Sequence, residues 1–334
     1  MGRDHGWELA GEAAPTDYFA GLSDAALVEL GDGLSPGVWG SSGSITIGRE
    51  QVFAKRVPLT DLEVARPYST RNHFHLPTFY SYGVGSAGMG AWRELAGHRA
   101  TTGLPGFPLL LHHRVTPTAC PLLPTPWGED GYVAYWRSSP TIGRYMDARH
   151  RAHHELWIIL EHIPHPMVFW LMMHQDQIDD ALTQIFGIIA SLRRQGIVHF
   201  DAHLANVVTD GQRCHLGDFG LVMGSGFELT SAERAFLTRH THYDIGVVLG
   251  SLGMMLLAAL GEQGSARHLG RAIDDLGELP VNYQPAFIEV FKRYREPICY
   301  MVNFLVGMQR PTKRARYDDQ VLGALLRSSG LPLD

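Results

Sequence analysis

His199, Asp201, Asn206 and Asp218 lie close together in the run GIVHFDAHLANVVTDGQRCHLGDFG, residues 196–220. Their types suit phosphoryl transfer. That reaction needs a carboxylate to orient an attacking hydroxyl and accept its proton, and Asp201 fits this role. It also needs hard oxygen ligands for Mg²⁺, which neutralises crowded phosphate charge; Asn206 and Asp218 carry such oxygens. The five-residue offset from Asp201 to Asn206 lets the loop turn back toward a metal. Asp and Asn also populate ordinary turns. The joint pattern HxDxxxxN, with DFG a dozen residues on, is too specific for that explanation.

Two loops of this kind need a frame on both sides. Upstream the pattern is mostly β. VWGSSGSITIGREQVFAKRVPL reads as strand, tight loop, strand, turn, strand, and PLLLHHRV, GYVAYWR and LWIILEHI read as further strands. Ala91 to Thr101 is a helix candidate ended by Gly103 and Pro105. Residues 61–90, rich in Pro, Tyr, His and Gly, read as an insertion expected near a cleft. Residues 1–33 form a polar extension with one short helix, LSDAALVEL, capped by Ser23. Downstream the period changes. Residues 177–194 place Ile178, Leu182, Ile185, Ile188, Ile189 and Leu192 at helical spacing. Arg193-Arg194 there complement the negative end of the helix dipole. Further helices are expected at 244–260, 265–276, 285–305 and 318–328, and from Thr230 to Arg239 behind the capping box Thr230-Ser231-Ala232-Glu233. A β-rich part (34–160) followed by a helical part (161–334) predicts an α+β protein with a cleft near residues 161–164.

The run 196–220 resembles the catalytic and metal-binding loops of the protein-kinase-like superfamily, and the order of motifs follows that family over roughly residues 34–260. The resemblance implies a bilobal fold, with a small antiparallel-sheet N-lobe and a mainly helical C-lobe, and the use of ATP with Mg²⁺. VFAK ends a strand, and its Lys55 stands where the family's lysine grips the α- and β-phosphates. Lys55, Lys292 and Lys313 are the only lysines among 28 basic residues, which sets Lys55 apart from an ordinary surface cation. An arginine is too long and forked to replace that compact charge. Glu94, in AWRELAGHRAT, resembles the helix-borne carboxylate that holds this lysine. Glu63 is nearer in sequence but reads as a solvated charge at a helix start. Gly40-Ser41-Ser42-Gly43-Ser44 resembles the loop that covers the phosphates. ILEHIP resembles the hinge whose backbone, between Glu161 and Ile163, hydrogen-bonds adenine. Asp244 resembles the aspartate that braces the catalytic loop, and equally suits a helix N-cap. The chain has no GxxxxGK[ST], which excludes a P-loop NTPase.

Three departures concern the acceptor. Phe200 replaces an arginine that pairs with activation-segment phosphate in many regulated kinases, so that form of switching is not expected. His203 stands where Ser/Thr kinases carry lysine and is similar to the aminoglycoside phosphotransferases; neutral imidazole is a weaker partner for transition-state charge than an ammonium. No Ala-Pro-Glu motif follows the DFG, so the usual platform for an extended peptide is missing or rebuilt.

The charged fraction of 19% and apolar fraction of 45% are those of an ordinary globular protein. A net charge of −6 without a basic stripe gives no reason to expect nucleic acid. Scattered Cys120, Cys214 and Cys299 argue for a reducing compartment and against a disulfide framework. The opening MGRDHGWELAGEAAP lacks the apolar core of a secretory signal. The longest apolar stretch, 245–260, is broken by glycines and is short for a membrane span. A cytoplasmic location and no membrane partner are therefore expected. His150, His153 and His154 lack the spacing of a tetrahedral zinc site.

The expected activity is transfer of the ATP γ-phosphate to a hydroxyl, with Ser/Thr of a protein or peptide favoured on the intact DFG. One alternative is a small-molecule phosphotransferase acting on an antibiotic or metabolite, indicated by His203 and the missing docking motif. The other is a pseudokinase scaffold that binds nucleotide and a partner enzyme, against which the presence of Lys55, Asp201, Asn206 and Asp218 counts. The whole chain looks like the Ser/Thr-kinase-like proteins common in actinobacteria, some of which accompany natural-product or peptide-modification genes.

Overall fold

The computed structural model describes residues 15–126, 128–261, 266–278, 283–310 and 315–332. The protein is α+β, built on a five-stranded antiparallel sheet and many helices. Two short helices lead in, α1 (Pro15–Gly21) and α2 (Asp24–Leu30), the second capped by Ser23, which accepts from Ala26 N at 3.2 Å. The sheet comprises β1 (Ser35–Pro36), β2 (Ser41–Ile47), β3 (Glu50–Leu59), β4 (Leu110–Thr116) and β5 (His154–Glu161), in the order β1-β2-β3-β5-β4. Between β3 and β4 come α3 (Asp61–Val64) and α4 (Ala91–Thr101). Strand alternation sorts the apolar residues onto two faces. Val52, Ala54, Trp157 and Ile159 pack with Phe19 and Leu27, whereas Val57, Leu59, Leu156 and Ile158 pack with Trp92 and Leu95 of α4. Burial on both sides accounts for the unbroken apolar run of β5.

Glu63 differs from its expectation as a solvated end charge: it is buried. Its Oε2 accepts from Thr60 N (3.0 Å) and Thr60 Oγ1 (2.7 Å), and its Oε1 accepts from Ala91 N (2.7 Å). One carboxylate thus serves the starts of both α3 and α4, where charge-assisted bonds to N–H donors offset its desolvation. GYVAYWR is also not a strand. It forms α5 (Gly128–Tyr135) and the turn beyond it, followed by α6 (Pro140–His150). Tyr132, Tyr135 and Trp136 are buried at helical spacing, against Tyr80 and Met89 of the insertion. The Tyr80 and Tyr132 hydroxyls lie 2.6 Å apart inside this cluster.

The remainder is mainly helical. In chain order it runs β6 (His165–Pro166), α7 (Met167–Met173), α8 (Ile178–Arg194), β7 (Ile197–Val198), β8 (Val207–Thr209), β9 (Cys214–Leu216), β10 (Met223–Gly224), α9 (Ser231–Thr238), α10 (Tyr243–Ala259), α11 (Ala266–Asp274), α12 (Pro285–Arg293), α13 (Arg295–Gln309) and α14 (Asp319–Ser328). The short strands form two ribbons, β6-β8-β9 and β7-β10, that hold the loops between them. The expected stripe of α8 is buried along its length. The glycines that interrupt the apolar run of α10 lie against α13: side chains at Gly246, Gly250 and Gly253 would strike Met301, Leu305 and Val302. The single helix expected at 285–305 is two, because Pro297 lacks an N–H and clashes with the carbonyl four residues back, at Arg293, where α12 ends. Among the described residues no single helix is long and apolar enough to cross a membrane.

Candidate active site

The loop from His199 to Asn206 connects β7 to β8 and is held from beneath. Asp244, in the first turn of α10, accepts from His199 N (2.7 Å) and Phe200 N (2.9 Å), the contacts of a brace. Burial raises its carboxyl to about 7 even against those bonds. Phe200 takes φ +65°, a conformation non-glycine residues seldom adopt, and its ring stacks on Phe236 of α9. His199 is buried, and burial lowers its pKa to about 4. Its Nδ1 accepts from Asp201 N (3.2 Å), so the proton belongs on Nε2, which donates to Gly217 O at 2.9 Å. This imidazole ties the loop bearing Asp201 to the one bearing Asp218.

Asn206 Nδ2 donates to Asp201 O (2.9 Å) and Oδ2 (3.1 Å), leaving the amide oxygen of Asn206 for a cation. Burial raises the Asp201 carboxyl, and the charge of Asp218 adds to the shift against His203 and Lys55. His203 Nε2 lies 3.6 Å from Asp201 Oδ1, too far for a hydrogen bond. Asp218 follows β9 at φ +57°, with Phe219 turned inward between the rings of His98 and His199.

Lys55 projects from β3 on the face toward α4. Its Nζ is 2.6 Å from Glu94 Oε1 and 2.6 Å from Asp218 Oδ1. Burial disfavours the ammonium, but the two carboxylates outweigh it and hold its pKa above the ordinary lysine value. Burial pushes the Glu94 carboxyl up, opposed by Lys55. Burial also acts to raise Asp218, yet Lys55 prevails and holds it well below the usual carboxylate range. The Asp218 side chain is 44% exposed, so it can serve a ligand as well as Lys55.

Three adjoining cavities meet at Asp218. One, of about 240 Å³, lies between Phe53, Leu160, Ile163 and Val208, with Lys55, Asn206 and Asp218 at one end; Ser42 and Glu161 also line it. A second, of about 230 Å³, is bounded by residues 37–42, Lys55, Glu94 and Asp201. The third, of about 520 Å³, extends from Asp201 and His203 toward α10 and α13. Gly40, Ser41 and Ser42 line the second, but the segment expected as a phosphate loop is largely strand: Ser41 to Ser44 belong to β2, paired with β3 from Arg56 to Phe53. The turn itself is residues 37–40, closed by Gly37 N donating to Gly40 O at 2.7 Å. Gly43 borders none of the three cavities, and a side chain there would meet Leu34.

Two features go further than the sequence indicates. The insertion, expected near a cleft, crosses the loops bearing Asp201 and Asp218 as a strap. Gly83 (φ +76°) passes so near Asp201 that a Cβ would sit 2.8 Å from its Oδ1, and at Gly88 (φ +84°) a Cβ would sit 2.4 Å from Gly220 O. The glycines of YGVGSAGMG are the available signal: only they fit this approach. Arg93, beside Glu94, pairs with Glu233 of α9 at 2.7 Å, and nothing local in the sequence marks that pair.

The donors suit Mg²⁺. Asn206 and Asp218 offer hard oxygens, and among the described residues no cluster of three or more His, Cys, Asp or Glu gathers for a metal. Compared with known proteins, the chain matches no family model and no curated sequence.

Proposed function

We propose that this protein is a bilobal, kinase-like phosphotransferase that moves the γ-phosphate of ATP to a hydroxyl acceptor. The observation that carries the reading is the meeting of three separate segments: Lys55 of β3 lies 2.6 Å from both Glu94 of α4 and Asp218, and in the same run as Asp218 Asn206 is hydrogen-bonded to Asp201. The apolar slot beneath Phe53 and Leu160 suits an adenine ring, and its charged end suits phosphates. Lys55 grips the phosphates, and Glu94 keeps it extended. Asn206 and Asp218 would hold Mg²⁺, which would supply charge neutralisation at the phosphate oxygens. Asp201 orients the acceptor hydroxyl and takes its proton; its raised pKa brings it toward the range of an effective base.

Titration calorimetry with Mg·ATP tests this. Wild type is expected to bind, and Lys55→Met to lose about 10- to 100-fold in affinity, the worth of a charged hydrogen bond. Equal affinities in a Lys55→Met protein whose melting curve is cooperative would refute the assignment.

A further inference from the structure

The third cavity bears on the acceptor. Much of its wall is apolar, formed by Trp39, Val84, Val168, Val247, Met254 and Leu305, while Asp201, His203, Asn206 and Asp218 make its polar end. Ser86, Ser251 and Gln309 add polarity without charge, and Ser251 is engaged, donating to Val248 O and accepting from Leu204 N. Among the described residues that line it, the only carboxylates are Asp201 and Asp218, and there is no lysine or arginine. A phosphorylated or carboxylated compound therefore meets no lysine or arginine here, and the one lining imidazole, His203, faces Asp201 at 3.6 Å. A polycation meets only the two carboxylates already engaged in the chemistry. Burying a charge against the remaining walls is unfavourable.

Shape points the same way. Tyr82 anchors the strap: its hydroxyl donates to His240 Nε2 at 2.9 Å, and its ring packs among Phe236, Tyr243 and Phe304. Gly83 then lies against Asp201, so the strap walls the cavity beside Asp201 and leaves room there for a compact molecule. Met172, one helical turn beyond Val168 and 58% exposed, continues the apolar wall outside the cavity.

On the footing of the phosphotransferase reading, we propose that the acceptor is a compact alcohol with an uncharged, largely apolar body, seated in this cavity with its hydroxyl at Asp201. The alcohol oxygen bonds to the γ-phosphorus as the bond from that phosphorus to the β–γ bridging oxygen breaks. ADP departs, and the hydroxyl proton passes to Asp201 and on to solvent. The intact DFG favoured Ser/Thr of a protein; the cavity's walls favour this smaller acceptor.

The test offers wild-type protein and Mg·ATP three sets of acceptors: uncharged aryl-alkyl, steroidal and macrolactone alcohols; aminosugars; and Ser/Thr peptides. Phosphorylated product is read by mass spectrometry. Binding of the uncharged alcohols is read separately, as a rise in melting temperature without nucleotide. Members of the first set are expected to show that rise and a kcat/KM at least about tenfold above the other sets. Met254→Arg and the strap variant Val84→Lys should each raise KM for those alcohols by about tenfold or more, through a buried charge. Product from peptides or aminosugars alone, or no rise with any uncharged alcohol, overturns the proposal. If Mg·ATP still binds in that event, the phosphotransferase reading survives without this acceptor class; if Mg·ATP does not bind, both fall.

Discussion

Glu233→Gln should destabilise the protein severely and loosen the nucleotide site at a distance. Arg93 and Glu233 are each about 1% exposed, paired at 2.7 Å, and Arg93 Nε also donates to Thr70 O at 2.6 Å. The pair fastens α4, which carries Glu94, to α9 and the insertion. Glutamine retains an oxygen for the cap at Thr230 but removes the charge, leaving a buried guanidinium uncompensated. Breaking a buried pair in this way costs about 3–5 kcal/mol. At about 2–4 °C per kcal/mol, the melting temperature should fall on the order of 10 °C. Urea unfolding measures the stability, and calorimetry should show weaker Mg·ATP binding as Glu94 loses its support. Arg93→Met combined with Glu233→Gln should recover much of the loss, since the neutral amide keeps an oxygen for the Thr230 cap and no uncompensated guanidinium remains. The effect has a pH signature too. Burial works against the Glu233 carboxylate, but Arg93 prevails and lowers its pKa. The pair's stabilisation is therefore present above the unfolded glutamate value and lost as pH falls through the lower folded one. A Glu233→Gln protein within about 0.5 kcal/mol of wild type would refute the clamp.

Two further predictions concern buried histidines. Both ring nitrogens of His98 are buried without a hydrogen-bond partner, and burial lowers its pKa to about 3. His98→Leu should therefore raise stability by about 1 kcal/mol in urea unfolding, and a loss of that size would count against the reading. His240 Nδ1 donates to Phe236 O at 2.6 Å, its Nε2 pairs with the Tyr82 hydroxyl at 2.9 Å, and burial lowers its pKa to about 4, which keeps the ring neutral. Relative to His240→Phe, wild-type stability should hold above the unfolded pKa near 6.5 and decline toward pH 4 by about 1.4 kcal/mol per pH unit. Parallel pH–stability curves for the two proteins would contradict this.

The parts of the site visible in the sequence are those where residue type and local spacing carry the chemistry. Asp201, Asn206 and Asp218 share one short run, and Lys55 stands out because lysine is so scarce. The α8 stripe is legible for a similar reason, since a period repeated along the whole helix outweighs local noise. Elements decided by distant partners were harder. Alternating Tyr132, Ala134 and Trp136 mimic a strand, and only packing on Tyr80 shows that α5 buries a helical face. Glu63 carried a visible signal in Thr60-x-x-Glu63, but its burial depends on α4, whose first N–H it accepts. Arg93 and Glu233 are 140 residues apart, and no periodicity links them. Pro297 marks a helix break that is clear once the carbonyl four residues earlier is considered.

The most direct test of the central claim is the rate of γ-phosphate transfer from Mg·ATP, to acceptor or to water, in wild type and Asp201→Asn. The substitution keeps the side chain's size and a partner for Asn206 while removing the proton acceptor. Wild type should turn over and the variant should lose about 10²- to 10⁴-fold, with Mg·ATP affinity retained. Equal rates in the two proteins, or no turnover in wild type that binds Mg·ATP, would contradict it.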